Sequence, residues 1–173
     1  MLTLLASPAC ADQISICYNY GCAAHAPVVF AGRALHSIQA LFHRLPDAAA
    51  ERQAIAESIG LFETISGEQT PTWRDKGGDE NDDGIDGRMD CIDHATNTTA
   101  YLKLLEKHGW LRFHRVLDPV KRAPYWVNVH WAARIVEVAT QQDYIVDAWF
   151  FDSGHPAAIF TLQDWMAGAH PHE

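Results

Sequence analysis

Basic residues are scarce in this sequence. Its 173 residues include 13 lysines and arginines against 22 aspartates and glutamates, which gives a formal net charge of −9 at pH 7. Such a charge repels phosphate backbones and anionic lipids, so we expect neither nucleic acid nor an anionic membrane surface to be the main partner. Long apolar runs are also missing: none reaches the roughly 18 residues that a membrane-spanning helix needs, so no transmembrane segment is predicted.

Two common zinc signatures are absent as well. The sequence contains neither the H-E-x-x-H motif of zinc peptidases nor paired C-x-x-C motifs, and the histidines of AHPHE lie on a C-terminal tail. What the chain does have is an apolar content of 48% and six tryptophans, enough for the core of one domain. We therefore expect a single domain over residues 12–173.

The first eleven residues, MLTLLASPACA, resemble the end of a secretory signal peptide. Positions 2–6 form a short apolar run, and positions 9–11 match the small-x-small pattern of a cleavage site, although the usual basic residues before the run are missing. We predict a truncated signal peptide over 1–11 and export to the periplasm or the medium. The alternative is an ordinary apolar N-terminal strand.

Cysteines are few, and export changes how they are interpreted. If Cys10 leaves with the signal peptide, Cys17 and Cys22 remain five positions apart in the turn-like stretch ICYNYGC and could form a disulfide in an oxidising compartment. Cys91 is then an unpaired thiol. It is either a buried, inert small hydrophobe or a reactive group.

The pattern of apolar residues predicts an α+β fold. Helical spacing and end signals support two long helices separated by a polar loop over 68–90. Alternating, β-rich segments then predict an antiparallel run of about three strands. Helices followed by such strands are typical of α+β domains. The predicted elements are an extended region at 12–30, helices at 46–66 and 91–108, strands at 111–117, 126–138 and 143–151, and a short closing helix at 161–168.

Cys91, His130 and Asp147 occupy positions typical of a cysteine hydrolase. Cys91 begins a predicted helix, where free N–H groups and the helix dipole stabilise a thiolate and can bind an oxyanion. His130 lies within one predicted strand and Asp147 within the next. In this interpretation Cys91 attacks a carbonyl carbon, His130 pairs with the thiolate and protonates the leaving group, and Asp147 orients the imidazole.

The pairing of the two strands decides whether His130 and Asp147 meet. A hairpin around residues 139–142 brings them near each other but slightly out of register. We expect a β-bulge at Ala132–Ala133 to absorb the difference.

Two further histidines are close in sequence to these elements. His114 lies on the preceding predicted strand, could line the same cleft and competes with His130 as the base. His94 lies one helical turn from Cys91 and is expected on the helix surface.

Three segments carry the candidate residues: MDCIDHATNTTAYLKLL, VNVHWAARIVEV and DYIVDAWF, within residues 86–151. Together they resemble the core of the transglutaminase-like superfamily, especially the bacterial transglutaminase-like cysteine proteinases. Members of that branch carry a G-D-C-x-D-Y-A helix start, a histidine in a strand and an aspartate in the following strand. The resemblance implies a papain/transglutaminase-like fold whose nucleophile helix packs on a small antiparallel sheet. It also implies that Cys91, His130 and Asp147 are nucleophile, base and third member.

The sequence departs from that pattern in two places. Met89 replaces the usual glycine, and His94 replaces the usual aromatic residue before the alanine. The oxyanion partner upstream of the nucleophile has three candidates, Asn19, Gln69 and Trp73.

The loop before Cys91 is strongly acidic: DENDDGIDGRMD carries six carboxylates in twelve positions. The loop matches the D-x-N-x-D-G spacing of a calcium loop, closed by aspartate rather than glutamate. Its candidate ligands are Asp79, Asn81, Asp83, the carbonyl of Ile85, and Asp90. A bound calcium ion would offset the negative charge beside the thiol. The alternative is a solvated acidic loop, as most charge runs are.

These patterns predict an exported cysteine peptidase or amide hydrolase acting on a protein or peptide. The chemistry requires no cofactor, and calcium is predicted only as a structural ion. Three alternatives stay open: a non-catalytic, calcium-stabilised binding module on the same fold, a transglutaminase, and a papain-like cell-wall amidase. The identity of the substrate and the oligomeric state are not predicted.

Overall fold

Two antiparallel sheets and four α-helices make up the part of the chain that the computed structural model describes, residues 11–78, 82–123 and 129–171. The α+β prediction is therefore confirmed. The elements are β1 (Asp12–Tyr18), β2 (Ala24–Phe30), α1 (Gly32–Leu41), α2 (Ala48–Gly67), a 3-10 turn (Pro71–Arg74), α3 (Cys91–Lys107), β3 (His114–Arg122), β4 (His130–Glu137), β5 (Asp143–Asp147), β6 (Ala158–Thr161) and α4 (Leu162–Met166).

The extended N-terminal region folds as a hairpin of β1 and β2. The strands pair from Asp12 opposite Phe30 to Tyr18 opposite Ala24, and the hairpin packs against α3. Its inward side chains, including Ile16 and Val28, are buried.

The predicted helix at 46–66 is α2, and it begins where the sequence indicated. Asp47 is its N-cap and accepts a hydrogen bond from the N–H of Ala50 at 2.8 Å. Helical spacing buries Ile55, Ile59 and Phe62 completely. Phe62 stacks on Tyr101 of α3 with ring centroids 4.9 Å apart, which joins the two helices in one core.

Helix α1 was missed by the sequence prediction. It buries only Leu35 and Ile38, begins at a glycine, and has no side-chain cap at Ala31. Two apolar positions without a cap give no clear helical signal, so this helix depends on its packing against α2.

The second sheet has four strands in the order β3-β4-β5-β6, each antiparallel to its neighbour. Strand β3 begins later than predicted because the N–H groups of Arg112, Phe113 and His114 donate to the buried carboxylate of Glu51. The edge strand β6 was not predicted. It is only four residues long, too short for a period-2 pattern to stand out.

The predicted irregularity at Ala132–Ala133 is right in its place along β4 but wrong in its partner strand, because the register shift opposite Ala133 belongs to the pairing with β3. Strands β4 and β5 stay in register from Ala133 opposite Val146 to Val136 opposite Asp143. The irregularity lies on the other side of β4, where the register of β3 shifts between Leu117 and Val120.

The same register explains how His130 and Asp147 meet without a bulge. Continued by one residue, it places Asp147 opposite Ala132, which is two positions from His130. Residues two apart on a strand share a face, so His130 and Asp147 are diagonal neighbours on one side of the sheet.

Candidate active site

Cys91 is the first residue of α3, as predicted. Its N-cap, Asp90, accepts hydrogen bonds from the N–H groups of Ile92 and Asp93, and Asp93 accepts in return from the N–H of Asp90. This capping box fixes the first turn of the helix. Among the described residues, the N–H of Cys91 itself has no acceptor, so this donor is free for a ligand oxygen.

The thiol of Cys91 is partly exposed and lies against the start of β4. Its Sγ is 3.9 Å from the carbonyl oxygen of Val129, the residue before His130. The helix α3 packs on β4, so the helix start and the strand start meet at one end of the sheet.

His130 and Asp147 form a buried hydrogen-bonded pair. His130 Nε2 is 2.7 Å from Asp147 Oδ2, and the two residues are 7% and 1% exposed. The same carboxylate accepts from Trp165 Nε1 at 2.9 Å and from the N–H of Trp149 at 3.3 Å. Donors from three parts of the chain therefore fix the orientation of Asp147, and Asp147 fixes that of the imidazole.

The charge on His130 is favoured by its neighbours. Burial lowers its pKa, but hydrogen bonds with Asp147 and Cys91, together with the charges of both, outweigh burial and raise the pKa from 6.5 to about 9. Since Nε2 faces Asp147, Nδ1 is the ring nitrogen left for Cys91. The arrangement suits an imidazolium that pairs with a thiolate.

Aromatic rings shape the surroundings of His130. Trp149, Phe150 and Trp165 have ring centroids 4.8, 5.9 and 5.7 Å from that of His130. The sequence pattern gave no role to the two tryptophans. Trp149 follows Asp147 by two positions and could have been noticed, whereas Trp165 comes from α4 and carries no local signal.

The predicted surface position of His94 is wrong. Its side chain is 2% exposed and lies between two carboxylates, with Nε2 2.9 Å from Asp75 Oδ2 and Nδ1 3.7 Å from Glu63 Oε1. Burial lowers the pKa of His94, but Asp75 and Glu63 outweigh it and raise the pKa to about 10. His94 is thus a buried cation within the turn that follows Cys91.

His114, the competing base, lies at the other end of the sheet. It pairs with Glu137 on β4, seven residues from His130, which corresponds to roughly 23 Å along a strand. Its Nδ1 is 3.0 Å from Glu51 Oε1, and its Nε2 is 3.3 Å from an Arg52 nitrogen. The structure does not bring His114 together with Cys91.

The side chains of two of the three candidate oxyanion partners already form hydrogen bonds within the protein. The amide of Asn19 donates to Asp86 and accepts from the N–H of Gly87. The amide of Gln69 bonds both the N–H and the carbonyl of Val29. Trp73 lies on the 3-10 turn and is 62% exposed.

The predicted calcium loop is only partly within the described residues, because Asp79 and Asn81 fall outside them. Asp83 and Ile85 are exposed. Asp90 uses its carboxylate on backbone N–H groups, two in α3 and that of Gly21. Calcium binding stays a prediction.

Acidic charge near the helix start is offset by protein groups. Asp82 is buried, with Oδ2 2.7 Å from Arg88 Nε and Oδ1 2.5 Å from the hydroxyl of Tyr20. In the described parts of the chain, one trio of potential metal ligands stands close together, Cys17, Cys22 and Asp93. Its two sulfurs are joined in a Cys17–Cys22 disulfide, a pairing that the sequence allowed but did not decide.

Comparisons with known proteins identify no relative. No family model matches the chain, and neither a curated protein nor a solved structure matches it. Within the described ranges, no helix combines the length and the apolar character that crossing a membrane requires.

Proposed function

We propose that this protein is a cysteine hydrolase that cleaves amide bonds in a protein or peptide substrate, on a fold of the papain/transglutaminase-like kind. One observation carries the proposal: His130, which Asp147 holds through Nε2 at 2.7 Å, interacts with a partly exposed cysteine at a helix N-terminus. The three residues come in the order and on the elements that the resemblance implied.

The geometry supports acyl-enzyme chemistry. The Cys91 thiolate adds to the carbonyl carbon, and the oxyanion that forms is bound by the free N–H of Cys91. His130, as imidazolium, gives its proton to the departing amine, and the C–N bond breaks. Neutral His130 then takes a proton from water, which attacks the thioester and releases the acid and the Cys91 thiolate, so that the thiolate–imidazolium pair is restored.

Export is part of the same proposal. A disulfide between Cys17 and Cys22 is compatible with an exported protein, because such bonds persist in oxidising compartments. The predicted signal peptide covers residues 1–11, of which 1–10 are outside the described residues, so it stays a prediction.

Peptide cleavage tests the function directly. A mixed peptide library is incubated with the wild type and with Cys91→Ala, with and without an added primary amine, and products are identified by mass spectrometry. Cleavage that requires Cys91 supports a hydrolase. Amine incorporation in place of cleavage identifies acyl transfer and overturns hydrolysis, while neither product, together with an inert thiol, favours the binding module.

A further inference from the structure

The turn between β1 and β2 has an unusual backbone. Asn19, Tyr20, Gly21 and Cys22 all have positive φ, at 69°, 61°, 62° and 58°. For a residue with a Cβ this left-handed conformation costs about 1–2 kcal/mol. Three of the four residues bear a Cβ, so contacts elsewhere must hold the turn in place.

Those contacts lead to the helix that carries Cys91. The N–H of Tyr20 donates to Asp93 Oδ2 at 2.8 Å, and the N–H of Cys22 donates to Asp93 Oδ1 at 2.6 Å. The N–H of Gly21 donates to Asp90 Oδ2 at 3.0 Å. Successive left-handed residues thus aim their N–H groups at the two carboxylates of the capping box that brackets Cys91.

Asp93 depends on these donors because it is fully buried. Burial raises the pKa of its carboxyl, and the N–H groups of Cys22, Asp90 and Tyr20 oppose that rise. If the turn moved away, Asp93 would lose two of its three backbone donors, and an unpaired buried carboxylate is costly.

A covalent bond closes the turn at its base. The disulfide joins Cys22 to Cys17, and Cys17 is attached to the same helix through Asn97, whose side chain bonds the Cys17 N–H at 2.8 Å and its carbonyl at 2.7 Å. The two sulfurs and an Asp93 carboxylate oxygen lie within 4.8 Å of one another. The disulfide therefore ties the N–H groups of the turn to the start of the Cys91 helix.

We propose that this disulfide-closed turn positions Cys91 and makes its reactivity depend on the redox state of Cys17–Cys22. The inference rests on the proposed function, since it concerns the same nucleophile. A thiol or dithiol reductant supplies two electrons and two protons, the S–S bond becomes two thiols, and the reductant becomes a disulfide. The freed turn relaxes from its left-handed conformation, its N–H groups leave Asp93 and Asp90, and the first turn of α3 loosens.

Alkylation of Cys91 by iodoacetamide at about pH 6 tests this in the full chain, with the Cys91 peptide quantified by mass spectrometry. Four proteins are compared: wild type and Cys17→Ser/Cys22→Ser, each with and without His130→Ala. We expect the double serine variant to react about tenfold more slowly than the wild type, a loss that corresponds to about 1.4 kcal/mol. Equal rates would overturn the inference.

The crossed design separates the two proposals. If His130→Ala leaves the rate of the oxidised wild type unchanged, the proposed function fails, whatever the disulfide does. If His130 matters and the disulfide does not, only the positioning role fails.

Reversible reduction covers the case in which the serine variant does not fold. The wild type is reduced with graded amounts of dithiothreitol and then reoxidised, while far-ultraviolet circular dichroism follows the helices. The proposal requires Cys91 reactivity to fall and recover with the disulfide while the helical signal persists. A loss of reactivity that only accompanies loss of the helical signal contradicts a positioning role.

Discussion

Replacing Asp147 with asparagine is expected to lower the rate of Cys91-dependent amide cleavage by about 10²–10⁴-fold. The substitution keeps the size of the side chain but removes its charge, and both the hydrogen bond and the charge of Asp147 help to raise the pKa of His130 to about 9. With asparagine the charge of Asp147 is lost and its hydrogen bond no longer favours the imidazolium, so that pKa falls. The imidazolium is then lost at a lower pH, and its orientation is no longer fixed by a charged acceptor.

Two measurements check this expectation. On the alkaline side, the cleavage rate of Asp147→Asn should begin to fall at a lower pH than that of the wild type. Asp118→Asn is the matched control, because Asp118 is exposed on β3 and should leave the rate unchanged. A pH profile for Asp147→Asn that coincides with the wild-type profile would show that Asp147 does not act through His130.

Replacing His94 with alanine is expected to destabilise the protein by about 3–5 kcal/mol at neutral pH. His94 is the buried cation between Asp75 and Glu63, and its removal leaves two buried carboxylates without their partner. Those carboxylates also hold other parts of the site: Asp75 accepts from the N–H of Met89 at 2.6 Å, and Glu63 from the N–H of Gly154 at 3.0 Å.

The raised pKa of His94 determines how its contribution to the unfolding free energy changes with pH. The folded-state pKa of His94, about 10, lies above the ordinary value of 6.5. Its contribution is therefore complete below about pH 6.5 and is lost as the pH rises through about 10. His130 also has a raised pKa, so its contribution to stability is lost as the pH rises through about 9.

Urea unfolding at several pH values measures both effects. The difference in unfolding free energy between wild type and His94→Ala should be largest near pH 6 and shrink as the pH approaches 10. His36→Ala, at an exposed position of α1, should change the unfolding free energy by no more than about 0.5 kcal/mol. A difference that stays constant over this pH range would mean that His94 stabilises the fold by packing and not by charge.

Local sequence signals were sufficient for the long elements. Helix α2 has a capping aspartate and a regular apolar face, and α3 has a capping box and a glycine, Gly109, with positive φ beyond its end. Each of these signals comes from residues that are close together in the sequence. The predicted strand at 143–151 ended early, at Asp147, because the N–H of Trp149 turns back to the Asp147 carboxylate.

The three candidate catalytic residues were also chosen from local signals, the start of a helix and two neighbouring strands. What surrounds them depends on contacts distant in sequence, and these could not be predicted. Trp165 reaches Asp147 from α4, His94 turns inward because Asp75 and Glu63 are there to pair with it, and the turn at residues 19–22 meets Asp93 about 70 residues later. Periodicity and capping motifs contain no information about such pairings.

The pH dependence of Cys91 alkylation, measured for the wild type and for His130→Ala, tests the central claim most directly. A Cys91–His130 pair predicts rapid reaction with iodoacetamide at about pH 6, and a reaction at least tenfold slower at that pH once His130 is alanine. His36→Ala should behave as the wild type. A thiol that reacts only above about pH 8, at the same rate with or without His130, would contradict the proposed enzyme and leave Cys91 as a structural residue.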